Sequence, residues 1–150
     1  MSKGFPLQSL LDRAQVRSDA AAAQLGRTNA QVREVEQRLQ LLLDYRSEYR
    51  ELLANAVKTG MNTIGWRNFR EFIARIDLAV EQQREALAQA KLQLQESQRH
   101  WHAEQQKVKS FDALFERHLQ AEQKREARQE QKEQDSFALR GFFARRVAAG

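Results

Sequence analysis

Apolar residues recur along this chain at alternating intervals of three and four. One series runs from Leu7 to Ala56 and a second from Trp66 to Phe115, and twelve of the fifteen positions in each are apolar. This is the heptad pattern of a helix that packs one stripe against a partner helix. The pattern therefore predicts two long helices, and we call the apolar stripe the seam. The seam positions are Leu7, Leu11, Ala14, Ser18, Ala21, Leu25, Thr28, Val32, Val35, Leu39, Leu42, Arg46, Tyr49, Leu53, Ala56, Trp66, Phe69, Ile73, Ile76, Val80, Gln83, Leu87, Ala90, Leu94, Ser97, Trp101, Glu104, Val108, Phe111 and Phe115.

A single short break, VKTGMNTIGW, separates the two series. Gly60 can adopt a left-handed conformation after the first helix, and Asn62 or Thr63 can cap the second. Because the two series are equally long, we expect the chain to fold back here, with facing seam residues whose numbers add up to about 122. This register sets the bulky Trp101 against the small Ala21, as close packing requires.

The expected fold is therefore all-α, with two long helices forming an antiparallel coiled-coil hairpin that is a monomer when free. We expect a first arm over residues 5–57, a loop over 58–64 and a second arm over 65–134. The second arm overhangs the first at its C-terminal end, because His118–Gln134 has helical propensity but little to bury. In the alternative interpretation each helix dimerises with another chain, and the protein is a generic homodimeric coiled-coil scaffold.

A weakly ordered tail is expected over residues 135–150. It combines apolar side chains with arginines, and it is interrupted by Gly141. A docking peptide, a weak membrane-surface element and a disordered tail all fit this pattern. The residues concerned are Phe137, Leu139, Phe142, Phe143 and Val147, beside Arg140, Arg145 and Arg146.

Composition and charge limit the classes of function that fit this sequence. The chain has no cysteine, 30% charged residues and a net charge of +5, and opposite charges alternate along both helices. Alternating charges are typical of a solvated helical surface, so a nucleic-acid-binding helical arm is a weaker alternative and we expect no nucleic-acid partner. No apolar run approaches the roughly 18 residues that span a bilayer, and no signal peptide is recognised. We therefore expect a cytoplasmic protein.

Candidate catalytic chemistry is sparse. His100 and His102 are two residues apart, which places them about 200° apart on a helix, so they cannot share a metal ion. His118 is isolated, and no residue pair resembles a nucleophile with its base. We therefore expect no enzymatic activity, no metal site and no cofactor.

The two edges beside the seam differ near the break. In an antiparallel pair, the g positions of both helices meet on one edge and the e positions on the other. The g edge is apolar and the e edge mostly charged, so the g edge is a candidate protein-binding face, although it could also simply shield the seam. The g edge holds Tyr45, Leu52, Phe72 and Ala79, and the e edge holds Leu43, Arg50, Arg70, Asp77 and Arg84.

Three stretches around the break resemble the flagellar export protein FliJ family. They are Leu42-Leu43-Asp44-Tyr45 with Glu48-Tyr49-Arg50, then Trp66, Phe69 and Phe72-Ile73, then Ala79-Val80-Glu81-Gln82. The resemblance covers nearly the whole chain. It implies a small non-catalytic component of the flagellar type III export apparatus, peripheral at the cytoplasmic face of the inner membrane and reaching the membrane only through protein partners. Family members form a stalk that inserts into the hexameric ring of the export ATPase, contacts the cytoplasmic domain of the export gate protein FlhA and escorts export chaperones.

The resemblance also assigns residues. The gate-contacting face keeps the expected residue at five positions, and Ile76 is a conservative variant at a sixth. Arg38 and Gln83 replace the glutamine and histidine expected at two others. The five retained residues are Leu42, Tyr45, Tyr49, Phe72 and Ala79. The ATPase ring is entered by the end that contains both chain termini, where the candidates lie near Phe5, Leu7, Leu11 and Phe115.

Overall fold

A computed structural model describes residues 4–149, which form two helices and no strand. Helix α1 spans Gln8–Lys58 and helix α2 spans Thr63–Ala149. The two helices pack against each other, which confirms the expected all-α helical hairpin. Contacts group the described residues into two units, one of Ser18–Glu104 and the other of residues 4–17 with 105–149.

The turn between the helices ends α1 through a glycine in a left-handed conformation. Gly60 has φ +90°. Its N–H donates to the carbonyl of Val57 at 3.3 Å, and the N–H of Met61 donates to the carbonyl of Ala56 at 3.1 Å. This pair of bonds is the Schellman motif, which satisfies carbonyls that the helix end would leave unpaired. The predicted role of Gly60 is confirmed.

Asn62 caps the start of α2. Its side-chain Oδ1 accepts a hydrogen bond from the N–H of Gly65 at 2.8 Å, and its carbonyl accepts one from the N–H of Trp66 at 3.1 Å. A Cβ atom at Gly65 would lie 3.0 Å from Asn62 Oδ1 and 3.1 Å from Met61 Cγ, so this site favours glycine. Of the two predicted caps, the structure uses Asn62.

In the unit Ser18–Glu104, the seam is the interior. Every seam position in it except Trp66 is buried or half-buried, and Val80 is completely buried. Ala21 and Ala90 are also buried, which lets the two backbones approach closely. Two contacts between the helices join residues whose numbers fit the predicted register. Arg46 Nη1 lies 3.6 Å from Asp77 Oδ1, and the ring centroids of Tyr49 and Phe72 are 4.5 Å apart.

The seam predicts the wrong environment for Trp66. It is the first seam residue after the turn, yet 40% of its surface is exposed. At a helix terminus the opposing helix covers a side chain from one direction only, so the heptad position overestimates its burial. The free face of the indole instead lies against the guanidinium of Arg70, 4.9 Å from the ring centroid. This is cation–π geometry.

In the other unit, residues 4–17 pack beside the part of α2 that starts at Gln105. The ring of Phe5 lies 5.3 Å from that of Phe115, edge to face, and 5.5 Å from that of His118. Phe5 also anchors the turn before α1, since its carbonyl accepts a hydrogen bond from the N–H of Gln8 at 3.1 Å. The half-buried positions continue past Phe115 to His118 and Glu122, whose Nε2 and Oε1 atoms lie 3.3 Å apart.

Beyond Glu122 every side chain up to Arg140 is exposed, so α2 overhangs as the sequence predicts. The structure differs from the expectation over residues 135–149, where a weakly ordered tail is predicted but α2 continues to Ala149. Most residues here are good helix formers, and an isolated glycine such as Gly141 costs only about 1 kcal/mol relative to alanine. The expectation for Gly150 lies outside the described residues. Neither α1 nor α2 is apolar enough, over the described residues, to cross a membrane.

Candidate protein-binding surface beside the turn

The candidate surface lies on the g edge of the unit Ser18–Glu104. We call it the aromatic edge and define it by residues from both helices. These are Tyr45, Tyr49 and Leu52 of α1 with Phe72 and Ala79 of α2. The heptad pattern places g residues of both helices on one side only when the helices are antiparallel and in register. The fold therefore assembles this surface from segments at least twenty residues apart in sequence.

Three large side chains of the aromatic edge are open to solvent. Tyr45 is 54% exposed, Leu52 52% and Phe72 40%. Exposed apolar side chains grouped on one edge mark surfaces that bind proteins, and aromatic residues carry much of the energy of such contacts.

Tyr49 connects the seam to this surface. It is half-buried at a seam position, and its ring packs on Phe72 with the two planes inclined by 52°. Tilted aromatic pairs stabilise by about 0.5–1.5 kcal/mol beyond the area that they bury. Tyr49 therefore both closes the hairpin and supports the exposed ring of Phe72, whereas the seam position alone indicates only the first role.

The other residues assigned by the resemblance are less accessible. Ile76 is 8% exposed and lies in the seam, so it supports the surface from beneath. Leu42 and Ala79 are half-buried. A partner that contacts this edge can therefore reach Tyr45 and Phe72 most fully, and the small Ala79 adds little to the height of the surface.

Arg38 and Gln83 both have partners within the chain. Arg38 Nη2 lies 2.7 Å from Glu34 Oε1, one turn earlier on an exposed face of α1. Gln83 Nε2 donates to the carbonyl of Val35 at 3.3 Å and so joins α2 to α1 across the seam. The glutamine therefore stabilises the helix pair, while the exposed Arg38 can exchange Glu34 for another acidic partner.

The opposite edge is charged. Asp77 Oδ1 lies 3.6 Å from Arg46 Nη1 and 3.8 Å from Arg50 Nη2. The side chains of Asp77 and Arg50 are about half exposed. Exposed ion pairs of this kind contribute about 1 kcal/mol or less. The predicted contrast between an apolar and a charged edge is therefore present in the structure.

The ATPase-contact candidates lie in the other unit. Phe5, Leu7, Leu11 and Phe115 are all half-buried, and Phe5 packs on Phe115. They form part of the interior of that unit and expose only part of their side chains. Among the described residues, no group of three His, Asp or Glu side chains is placed to hold a metal ion.

Two observations were not predicted from the sequence. The Trp66–Arg70 contact could have been expected from their spacing of four residues, which brings side chains together on a helix. The tilted contact between Tyr49 and Phe72 had no comparable signal, since its geometry depends on the exact separation of the two helices.

Comparison with known proteins agrees with this architecture. The family model described as Flagellar FliJ protein matches residues 2–147. The flagellar FliJ protein of Salmonella typhi is 31% identical over 140 residues, which cover 93% of this chain and 95% of the relative. That of Escherichia coli K12 is 30% identical with the same coverage.

A solved structure shares the fold. A Chlamydia trachomatis protein described as a YscO homolog superposes with a TM-score of 0.64 over 91% of this chain and 93% of its own. At 16% sequence identity, this likeness concerns the fold alone. The family match and the two relatives, by contrast, cover almost the entire sequence, and this chain therefore belongs to the flagellar FliJ protein family.

Proposed function

We propose that this protein is a non-catalytic component of the flagellar type III export apparatus. It acts in the cytoplasm as a helical stalk, inserted into the export ATPase ring and docked on the cytoplasmic domain of the gate protein FlhA. Its membership of the FliJ family supports this assignment. The observation that carries the gate contact is the aromatic edge, with Tyr45 and Phe72 open to solvent on a helix pair that buries its own seam.

The aromatic edge is the gate-docking surface in this proposal. Phe72 is held by Tyr49, so little side-chain freedom is lost when the gate binds. Tyr45, Phe72 and Tyr49 supply the binding energy, Leu42 and Ala79 shape the surface, and Ile76 supports it. Arg38 adjusts the polar rim of the contact, and Gln83 stabilises the helix pair that carries it.

The unit that contains Phe5 and Phe115 enters the ATPase ring. Its aromatic packing fixes the start of α1 on α2, so that the ring meets an ordered pair of helices. In this proposal the chain couples ATP-driven events in the ring to the gate, and the same chain escorts emptied export chaperones.

Binding to two purified partners tests both contacts in one experiment. An edge variant, Tyr45→Ala/Tyr49→Ala/Phe72→Ala, and a base variant, Phe5→Ala/Leu7→Ala, are each mixed with the export ATPase and with the FlhA cytoplasmic domain. We expect the edge variant to lose the gate and keep the ATPase, and the base variant to do the reverse.

Leu78→Ala is the matched control. Leu78 is 60% exposed but lies outside both edges, so the variant should bind both partners like the original chain. Circular dichroism on all variants establishes that the helices persist. If the folded edge variant still binds the gate domain, the proposed docking surface is wrong.

A further inference from the structure

The turn of the hairpin exposes apolar side chains that the aromatic edge does not include. We call residues 57–70 the turn surface. Val57 lies in the last turn of α1 and is 53% exposed. Ile64 and Trp66 lie in the first turn of α2 and are 72% and 40% exposed. Single exposed apolar residues are common on proteins, but a group of them marks a surface that binds a partner.

The charge of the turn surface is one-sided. It contains three basic residues and no acidic residue. All three are exposed, and no carboxylate of residues 4–149 forms an ion pair with any of them, including the flanking Glu51 and Glu71. A partner should therefore offer carboxylates beside an apolar contact. The three basic residues are Lys58, Arg67 and Arg70.

The turn surface is held in shape by its own contacts. Gly60 ends α1 in a left-handed conformation, and Asn62 Oδ1 accepts a hydrogen bond from the N–H of Gly65 at 2.8 Å. The guanidinium of Arg70 lies 4.9 Å from the centroid of the Trp66 ring. A preformed surface loses little conformational freedom when a partner binds. Tryptophan and arginine are also the residue types that often carry the energy of protein contacts.

The aromatic edge alone is small for a docking surface. Its three exposed large side chains offer roughly 300 Å² to a partner, whereas a stable protein interface buries about 800 Å² on each side. The contact must therefore extend along the helices. Away from the turn the edge meets the ion pair of Arg38 with Glu34, and toward the turn it continues from Leu52 to residues 57–70. The apolar side chains at the turn favour the second direction.

We propose that the turn surface binds an acidic surface with an apolar pocket, on the same partner that covers the aromatic edge. This inference rests on the proposed function, in which that partner is the cytoplasmic domain of FlhA. Ile64 enters the pocket, and Arg67 and Arg70 contact carboxylates at its rim. Ile64 takes this place because it is the most exposed apolar side chain of the turn surface.

An anionic lipid surface fits the turn less well than a protein does. Tyr45 of the aromatic edge lies thirteen residues before Lys58, which is about 20 Å along α1. Residues at a lipid interface enter it by only about 5–10 Å, so a bilayer at the turn would leave Tyr45 uncovered. One protein surface can cover both the turn and the side of the helix pair.

Titration of the FlhA cytoplasmic domain with the full-length chain tests this proposal. Ile64→Ser should raise Kd by about tenfold, because an exposed anchor is lost without a change in the interior of the hairpin. Arg67→Gln/Arg70→Gln should raise Kd by about fivefold at low ionic strength. The effect of the arginines should shrink at about 0.5 M salt, where exposed charges are screened, whereas the effect of Ile64→Ser should persist.

Two matched controls make the same changes at exposed positions about 40 Å from the turn along the helices. They are Leu92→Ser and Arg33→Gln/Lys91→Gln, and both should keep Kd within about twofold because they lie outside the docking surface. Circular dichroism monitors the helices in every variant.

The outcomes separate this inference from the proposed function. If Ile64→Ser and Arg67→Gln/Arg70→Gln bind the gate domain like the original chain while Phe72→Ala does not, the turn surface is wrong and the aromatic edge stands. If those turn variants instead lose binding to phosphatidylglycerol vesicles and keep the gate, a lipid surface is the occupant and the proposal is overturned. Failure of the original chain to bind the gate domain overturns both proposals.

Discussion

Tyr49 and Phe72 join the interior of the hairpin to its surface. Their ring centroids are 4.5 Å apart, with Tyr49 half-buried in the seam and Phe72 40% exposed beside it. Removing Tyr49 would disturb both the packing and the surface, whereas truncating Phe72 removes mainly surface. Phe72 is therefore the cleaner position at which to separate binding from stability.

Gly60 and Gly26 give a prediction at the scale of single residues. A Cβ atom at Gly60 or at Gly26 would meet no heavy atom within 4 Å, so the two sites differ in backbone conformation and not in space. Gly60 has φ +90°, which side chains other than glycine rarely adopt, and Gly60→Ala should destabilise the protein by about 1 kcal/mol or more. Gly26 lies inside α1, and Gly26→Ala should stabilise it by about 0.5–1 kcal/mol.

Urea denaturation followed by circular dichroism measures both changes. Because the substitution is the same at both sites, each variant is the control for the other. Their changes in the free energy of unfolding should have opposite signs. Equal effects of the two variants would contradict the assignment of Gly60 to a left-handed helix end.

At the scale of elements, the seam was predictable because every helix that buries one stripe must repeat apolar positions with the same period. The identity and register of α1 and α2 follow from that constraint, and the two edges follow from the seam. Trp66 is more exposed than its seam position predicts, because the opposing helix covers a helix terminus from one side only. The heptad period therefore does not determine the burial of this side chain.

The end of α2 was harder to predict for a different reason. No seam continues past Glu122, so helix formation there depends on local propensity and not on packing. The candidate surface was predictable in position, since Tyr45 and Phe72 occupy g positions. The contact by which Tyr49 supports Phe72 could not be predicted, because the geometry of the two side chains depends on the distance between the helices.

At the scale of the whole molecule, the seam of each unit is covered by another part of the same chain. The contact between Arg46 and Asp77 joins α1 to α2, and the contact between Phe5 and Phe115 joins the turn before α1 to α2. Because the seam positions of residues 4–149, apart from Trp66, are buried or half-buried, we predict a monomer and not a homodimeric coiled-coil scaffold.

Sedimentation equilibrium provides the check. The free protein should have a mass near 17.5 kDa over a wide range of concentrations. A mass of twice that value, stable on dilution, would instead show that the helices pair between chains and would remove the basis for the aromatic edge.

The most direct test of the account is a titration of the FlhA cytoplasmic domain with the original chain and with Phe72→Ala. The variant should raise Kd by about thirtyfold or more, as the loss of a central aromatic residue does at protein interfaces. Leu78→Ala should leave Kd unchanged, and both variants should keep the helical signal of the original chain. An unchanged Kd for Phe72→Ala would contradict the proposal that the aromatic edge docks on the export gate.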